Sequence, residues 1–414
     1  MLKSLPIRAA DLRAYNRLAI DATLAVTDLL ENMHHNISRL PGIFAAPTTE
    51  PARGITGFVY RSIRGVTRKV GVGIDAVLRS VTPESAPDSS LQREVLLAAL
   101  NGVVGDHLLA TDNPLRITMS LRRDGVPLEL TPGALSETIA QPSGRILVLA
   151  HGLCMSDLQW CRRGHDHGAA LAADAGFTPV YLHYNSGLHI STNGREFSAL
   201  LEALVAAWPV AVEQLVIIGY SMGGLIARSA CEAARRSDRA WLGHLRDLVF
   251  IGTPHDGSPL ERTGNRLDAL LGASPYTAAL SRVGKLRSAG ITDLRHANLD
   301  DSEWLDHDRF AGQLQRRQAL PLPENVRCHA VAGSLSKRSG ALAERLAGDG
   351  LVPLYSALGQ HRSPRRNLGL PESRRHVAYA TSHLGLLDSP EVYARLHAWL
   401  NPANRSEEQA ETAG

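Results

Sequence analysis

Apolar residues recur at Leu12, Tyr15, Leu18, Ala22, Val26, Leu29, Met33 and Ile37. These steps of three and four predict one face of a long amphipathic helix from Asp11 to about Ile37, ended by Leu40-Pro41-Gly42. A second stretch, Gly54 to Val81, repeats the period through Phe58, Val59, Ile63, Val66, Val70, Ile74, Val77 and Leu78. Glycines 54, 57, 65, 71 and 73 weaken it as an independent helix. Thr82 to Ser89 is turn-rich and reads as a linker, and Ser89 with Gln92 forms a capping-box pattern that opens a helix to about Ala110. The period then falls to two: Leu115, Ile117, Met119 and Leu121 alternate, Asp124-Gly125 turns, and Val126, Leu128 and Leu130 alternate again, a hairpin.

Beyond Gly144, continuous apolar runs predict buried strands at Ile146–Ala150, Val180–Tyr184, Leu215–Gly219, Leu248–Ile251 and Val326–Ala332, with a weaker one at Val377–Ala380. Helical patterns lie between most of them, notably Glu196–Trp208 and Gly224–Arg236, and Pro390–Leu400 closes the series. This order predicts an α/β domain with a mostly parallel central sheet covered on both sides. Three parts are expected: an N-terminal helical region over 1–85, a main domain over 86–400, and a polar flexible tail over 401–414.

Composition narrows the class. Apolar residues make up 44% and charged residues 21%, the balance of a folded globular chain. Lysine plus arginine (44) nearly equals aspartate plus glutamate (41), so no global field points to nucleic acid. No apolar run approaches the roughly 20 residues of a spanning helix. The four cysteines, Cys154, Cys161, Cys231 and Cys328, include no C-x-x-C pair, which suits a reducing compartment and no zinc ribbon. The first residues turn polar before a signal-type apolar core develops, and a cytoplasmic protein is expected. Arg53, Arg61, Arg64, Arg68, Lys69 and Arg79 oppose only Asp75 around the second stretch. Residues 11–81 therefore read either as a helical hairpin packed on the main domain or as a cationic element resting on an anionic membrane or granule surface.

The strongest chemical signal is Gly219-Tyr220-Ser221-Met222-Gly223-Gly224, directly between a predicted strand and a predicted helix. A serine on so tight a bend needs small neighbours, and the bend lifts its hydroxyl clear of the sheet toward a helix N-terminus. Ser221 is the expected nucleophile. Such a serine needs a base, and the order nucleophile, acid, base places both partners downstream. Asp349, in Gly348-Asp349-Gly350-Leu351-Val352-Pro353, is the expected acid; Asp256, Asp293 and Asp388 are its rivals. His383, just past the last strand, is the expected base, ahead of His361, His376 and His397.

The set His151-Gly152, Gly219-Tyr-Ser-Met-Gly-Gly, Gly252-Thr-Pro-His-Asp-Gly-Ser-Pro-Leu, Asp349-Gly-Leu-Val-Pro and Ser382-His383-Leu resembles the lipase/esterase branch of the α/β-hydrolases. In particular it is similar to the bacterial triacylglycerol lipases and the GPI inositol-deacylase-like group, over about Ile146 to Leu400. The resemblance implies hydrolysis of carboxylic esters through an acyl-enzyme, with no cofactor. It places oxyanion donors at the Leu153 and Met222 N–H groups and substrate contacts at His151, Gly152 and Tyr220. Some secreted lipases of this group carry a calcium-binding aspartate two residues after the base; here that position is Gly385, so no such site is expected.

About 70 residues separate Thr253-Pro254 from Val326, well beyond ordinary loops. This insertion, 256–325, follows the sixth strand, where α/β-hydrolases carry a cap or lid, and its leucines suit an apolar acyl-binding wall. His165-Asp166-His167 reads as a solvated or hydrogen-bonded segment, because three adjacent residues cannot converge on one ion. The expected activity is hydrolysis of lipid-like or aliphatic esters. An acyltransferase with the same triad, or a surface-associated protein whose hydrolase domain is secondary, are the alternatives.

Overall fold

The computed structural model describes residues 91–257, 288–304, 320–337 and 348–401, together with 11, 13–21, 23–24, 64–65 and 68–69. Apart from 64–65 and 68–69, the expected hairpin beyond residue 24 lies outside these residues, as do most of the 256–325 insertion and the tail beyond 401. The chain forms two compact units, one of residues 1–93 and 108–116, the other of 94–107 and 117–414. In the first, the described residues between 11 and 24 are helical. Asp11 takes two hydrogen bonds from Arg93 at 2.6 and 2.8 Å, and the Asn113 amide donates to the Ala14 carbonyl at 3.3 Å.

The second unit is built on one eight-stranded sheet: β1 (Ser120–Arg123), β2 (Val126–Pro127), β3 (Arg145–Ala150), β4 (Thr178–His183), β5 (Gln214–Tyr220), β6 (Leu245–Ile251), β7 (Arg327–Gly333) and β8 (Arg375–Ala378). Its order is β2-β1-β4-β3-β5-β6-β7-β8, antiparallel at the β1 edge and parallel from β4 to β8. The expected mostly parallel sheet and the cover on both faces are present. Leu147, Leu149, Val216, Ile218, Val249, Ile251 and Val331 form one buried face with Leu171, Leu386, Leu396 and Leu400. The alternate residues Ile146, Val148, Leu215, Ile217, Leu248 and Phe250 are equally buried.

The helices follow local capping chemistry. α1 (Leu91–Ala110) is broken at Val104, whose φ of −133° is not helical. α2 (Pro132–Thr138) opens on the Thr131 cap. In α3 (His167–Ala175) the Asp166 carboxylate caps the Gly168 and Ala169 amides, and Gly176 closes the helix at φ 66°. α4 (Ile190–Ala207) and α5 (Met222–Arg236) pack on each other, and α5 lies along β5. Within the insertion, α6 (Ala289–His296) is capped by Ser288. The short α7 (Leu354–Ala357) follows the Asp349 loop, and α8 (Pro390–Leu400) is capped by Ser389.

Sequence periodicity located every long strand to within three residues at each end, but the hairpin is shorter than expected. Its first strand begins only at Ser120. The upstream amides are taken instead by side chains: Leu115 N–H donates to the Asn113 carbonyl oxygen at 3.0 Å and Ile117 N–H to that of Asn101 at 2.9 Å. A local side-chain acceptor competes with the sheet ladder.

One buried ion pair ties the two neighbouring strands of the sheet's C-terminal half. Asp247 on β6 stands beside Arg327 on β7 in the strand register. Its carboxylate, fully buried, accepts from the guanidinium at 2.9 and 2.8 Å and lies 3.1 Å from His329 Nε2. Burial opposes ionisation of Asp247, but the His329 and Arg327 hydrogen bonds outweigh it and hold the carboxyl below its ordinary value. A carboxyl depressed in the folded state contributes stability above its unfolded pKa, and that contribution is lost as pH falls through the folded value. Asp247→Asn is expected to cost about 3 kcal/mol at pH 7, because it strands a guanidinium beside a buried neutral amide. Urea denaturation checks this, with the gap between the two proteins narrowing in acid; a gap that is absent at neutral pH contradicts it.

Candidate active site

Ser221 sits between the last residue of β5 and the first of α5, at φ 52° and ψ −120°. A side-chain-bearing residue reaches this left-handed region only when its surroundings hold it there. They do so by close backbone approach. A Cβ on Gly219 would stand 2.4 Å from the Gly224 Cα, and one on Gly223 would stand 2.2 Å from the Ala150 carbonyl oxygen. The Ser221 amide donates to the Ile251 carbonyl at 2.8 Å, which fastens the turn to the end of β6.

The end of β3 lies alongside the end of β5, with Ala150 opposite Gly219. The loop that follows β3 is thereby pressed onto the serine: a Cβ at Gly152 would lie 3.1 Å from the Ser221 Cβ. Leu153, next along, and Met222 are both buried. The loop is shaped by Cys154, at φ 60°, whose amide donates to the Ser186 hydroxyl at 3.0 Å. His151 stacks on Tyr184 at 4.2 Å, and its Nδ1 lies 2.9 Å from the Gly152 carbonyl. Burial pushes the His151 pKa down to about 3, so the ring is neutral and Nδ1 carries the proton that this carbonyl accepts. Expected as a substrate contact, the His151 ring is fully buried against Tyr184 and the Gly152 carbonyl.

Asp349 and His383 come together although 34 residues separate them. His383 Nδ1 lies 2.6 Å from Asp349 Oδ2, and the His383 amide donates to the Asp349 carbonyl at 3.0 Å. The other carboxylate oxygen, Oδ1, accepts the Leu351 and Val352 amides at 2.9 and 2.8 Å. Glycines 348 and 350, at φ 52° and 98°, allow the loop to fold around this carboxylate. His383 begins the helical turn Leu384–Leu387. Its ring packs against the Gly252 backbone, where a Cβ would lie 3.0 Å from Cε1. Gly252 directly follows Ile251, whose carbonyl holds the Ser221 amide, so the serine turn and the imidazole rest on successive residues at one strand end. His383 Nε2 is buried with no hydrogen-bond partner among the described residues.

Tyr220 is also expected as a substrate contact. The structure buries it completely and gives its hydroxyl to the His383 carbonyl at 3.1 Å, with the two rings 4.9 Å apart. Its hydroxyl therefore acts on the imidazole's backbone, because the ring alternates inward from a strand buried on both faces.

The rival acids and bases are committed elsewhere. Asp256 pairs with Arg366 and lies 3.6 Å from His361. Asp293 lies 2.9 Å from His189 Nδ1 and accepts the Ile190 amide at 2.9 Å, Asp388 pairs with Arg162 and Arg163, and His376 lies 3.0 Å from Glu391. His397, on α8, lies 6.2 Å from the Tyr393 ring. His165-Asp166-His167 is hydrogen-bonded, but His167 is fully buried and not solvated. Nothing in the run of three polar residues announced that burial; only the position of Asp166 as a helix cap ahead of apolar Ala-Ala-Leu hinted at it.

Among the described residues one group could gather on a metal ion: Glu94, Asp157 and His183, all buried, with ligand atoms within 4.8 Å of one another. Arg122 already stands between them, 3.0 Å from Glu94 and 3.3 Å from Asp157. Both carboxylates are thus already neutralised by the chain's own guanidinium, and the group does not call for a metal.

A family model described as a PGAP1-like alpha/beta domain matches residues 141–304. No curated protein matches the chain. Among solved structures, the mature form of a Bacillus licheniformis lipase, BlEst2, is 16% identical, with 69% of this chain and 98% of that one covered at a TM-score of 0.42. A thermophilic esterase from Thermogutta terrifontis is 17% identical over 63% of this chain and 90% of its own, at a TM-score of 0.35. A Pyrococcus furiosus esterase is 15% identical over 63% and 83%, at 0.38. With the serine turn set between β5 and α5 in a mostly parallel sheet of this order, the chain has an α/β-hydrolase-like fold, and residues 141–304 of it match the PGAP1-like alpha/beta domain.

Proposed function

We propose that this protein hydrolyses carboxylic esters at Ser221 through an acyl-enzyme, with His383 as base and Asp349 as its partner. The observation that carries the reading is the 2.6 Å contact between His383 Nδ1 and Asp349 Oδ2, beside a serine in the left-handed region at the neighbouring strand end. Asp349 accepts a hydrogen bond from Nδ1–H, which leaves the Nε2 lone pair as the base. Nε2 takes the Ser221 proton as Oγ attacks the ester carbonyl. The Leu153 and Met222 N–H groups receive the oxyanion, and the N-terminus of α5 adds its favourable dipole. The imidazolium then returns the proton to the leaving alkoxide. Water, deprotonated by the same Nε2, attacks the acyl-serine and releases the acid.

Buried Leu153, Met155 and Met222 around the serine turn support an aliphatic, lipid-like acyl group. No helix among the described residues is long and apolar enough to cross a membrane. The cationic stretch between Arg53 and Arg79 supports, as a second element, peripheral attachment to an anionic lipid or granule surface.

Ser221→Ala is expected to abolish turnover of a short p-nitrophenyl ester and labelling by a fluorophosphonate probe, with the circular-dichroism spectrum and melting temperature retained. Hydrolysis persisting in that variant rejects the nucleophile. Tyr220→Phe removes one hydrogen bond to the His383 backbone and is expected to lower kcat about fivefold with KM little changed; an unaltered kcat shows that the hydroxyl does not steady the imidazole. The full chain is expected to sediment with vesicles containing phosphatidylglycerol and to be released by high salt. Equal binding to purely zwitterionic vesicles contradicts the electrostatic attachment.

A further inference from the structure

The helical turn that starts at His383 is gripped from outside by the segment before α3. His167, fully buried as the first residue of α3, places Nε2 at 2.9 Å from the Leu386 carbonyl. A carbonyl only accepts, so Nε2 carries the proton and Nδ1 is left as an acceptor. Burial lowers the His167 pKa to about 4, which keeps the ring in this neutral form. His165 Nε2 lies 2.8 Å from that Nδ1 and is thus the donor to it. The result is a directional chain, His165 to His167 to the Leu386 carbonyl. Two arginines of the same segment reinforce it: Arg162 and Arg163 lie 3.3 and 3.4 Å from the carboxylate of Asp388, two residues further on.

Leu386 in turn is tied to the imidazole's own residue. Its amide donates to the Ser382 carbonyl at 3.1 Å and to the His383 carbonyl at 3.2 Å. The His383 carbonyl also receives the Tyr220 hydroxyl. Any slack at Leu386 is therefore passed to the backbone on which the imidazole stands. An aliphatic side chain at 167 would fill the same buried space but would take this donor from the Leu386 carbonyl, so what the histidine adds beyond bulk is its hold on that turn.

We propose that His167 is a positioning residue for the reaction: through the Leu386 carbonyl it holds the 383–388 turn so that the His383 imidazole keeps its alignment between Asp349 and Ser221. The proposal rests on the reading of those three residues as the catalytic set. Two variants separate alignment from mere filling. His167→Leu keeps the bulk but cannot donate, whereas His167→Gln can present an amide N–H near the place of Nε2.

On a short p-nitrophenyl ester, His167→Leu is expected to lose at least about tenfold in kcat with KM within about twofold, because small misplacements of a base are costly. His167→Gln is expected to recover most of that loss. Independently of activity, amide hydrogen exchange in peptides spanning 380–390 is expected to speed up in the leucine variant and to return toward wild type in the glutamine variant. A kcat within twofold of wild type for His167→Leu overturns the proposal, as does a glutamine variant as slow as the leucine one. Exchange in 380–390 that is the same in all three proteins overturns it too. A wild-type chain that neither hydrolyses the ester nor reacts with a fluorophosphonate sinks the catalytic reading instead, while the exchange measurement still decides whether the clamp exists.

Discussion

A serine held at φ 52° and ψ −120° costs of order 1–3 kcal/mol, and the rest of the domain is arranged so that this cost is met. All seven residues of β5 are buried, and each large aliphatic side chain among them contributes roughly 1.5–3 kcal/mol on burial. The strand therefore cannot slip to relax the turn. On the other side, the first turn of α5 is pressed against the carbonyls of Ala150 and His151, with no room for a Cβ at Gly223. A hydrogen bond from the Ser221 amide to Ile251 closes the third side. Strain at one residue is thus set by packing of three adjacent parallel strands.

Around that fixed point the polar groups are buried. Asp349, His383, Tyr220, His151 and His167 are all almost inaccessible to solvent. In a medium of low polarity a donor without an acceptor is costly, and the donating groups of three of these residues have definite partners. His151 donates to Gly152, Tyr220 to His383, and His167 to Leu386. His151 Nε2 and His383 Nε2 are buried with no partner among the described residues, and of the two rings His383 has its other nitrogen on a carboxylate.

The same sheet edge also explains why the supporting groups come from distant parts of the chain. Parallel strands bring their C-terminal ends to one edge, so loops after β3, β5, β6, β7 and β8 meet there whatever their separation in sequence. The Asp247–Arg327 pair works at the opposite ends of β6 and β7, where no chemistry needs the space. It sets those strands in register and so helps to align the two loops that follow them.

What the chain's own pattern determined is short-range. Runs of buried aliphatics marked the strands, and the Gly-x-Ser-x-Gly spacing marked the bend, because both depend on the preferences of a few neighbouring residues. The order of motifs put Ser221, Asp349 and His383 forward as the expected set ahead of their rivals. Tertiary structure alone decided which side chains face which. Asp256, Asp293 and Asp388 look equivalent to Asp349 as letters, yet each is paired elsewhere once the strands are stacked. His167 reads as one more polar residue in a loop, and Tyr220 as a ring beside the nucleophile. Their buried hydrogen bonds to Leu386 and His383, across more than 160 positions, exist only because the sheet carries both partners to one edge.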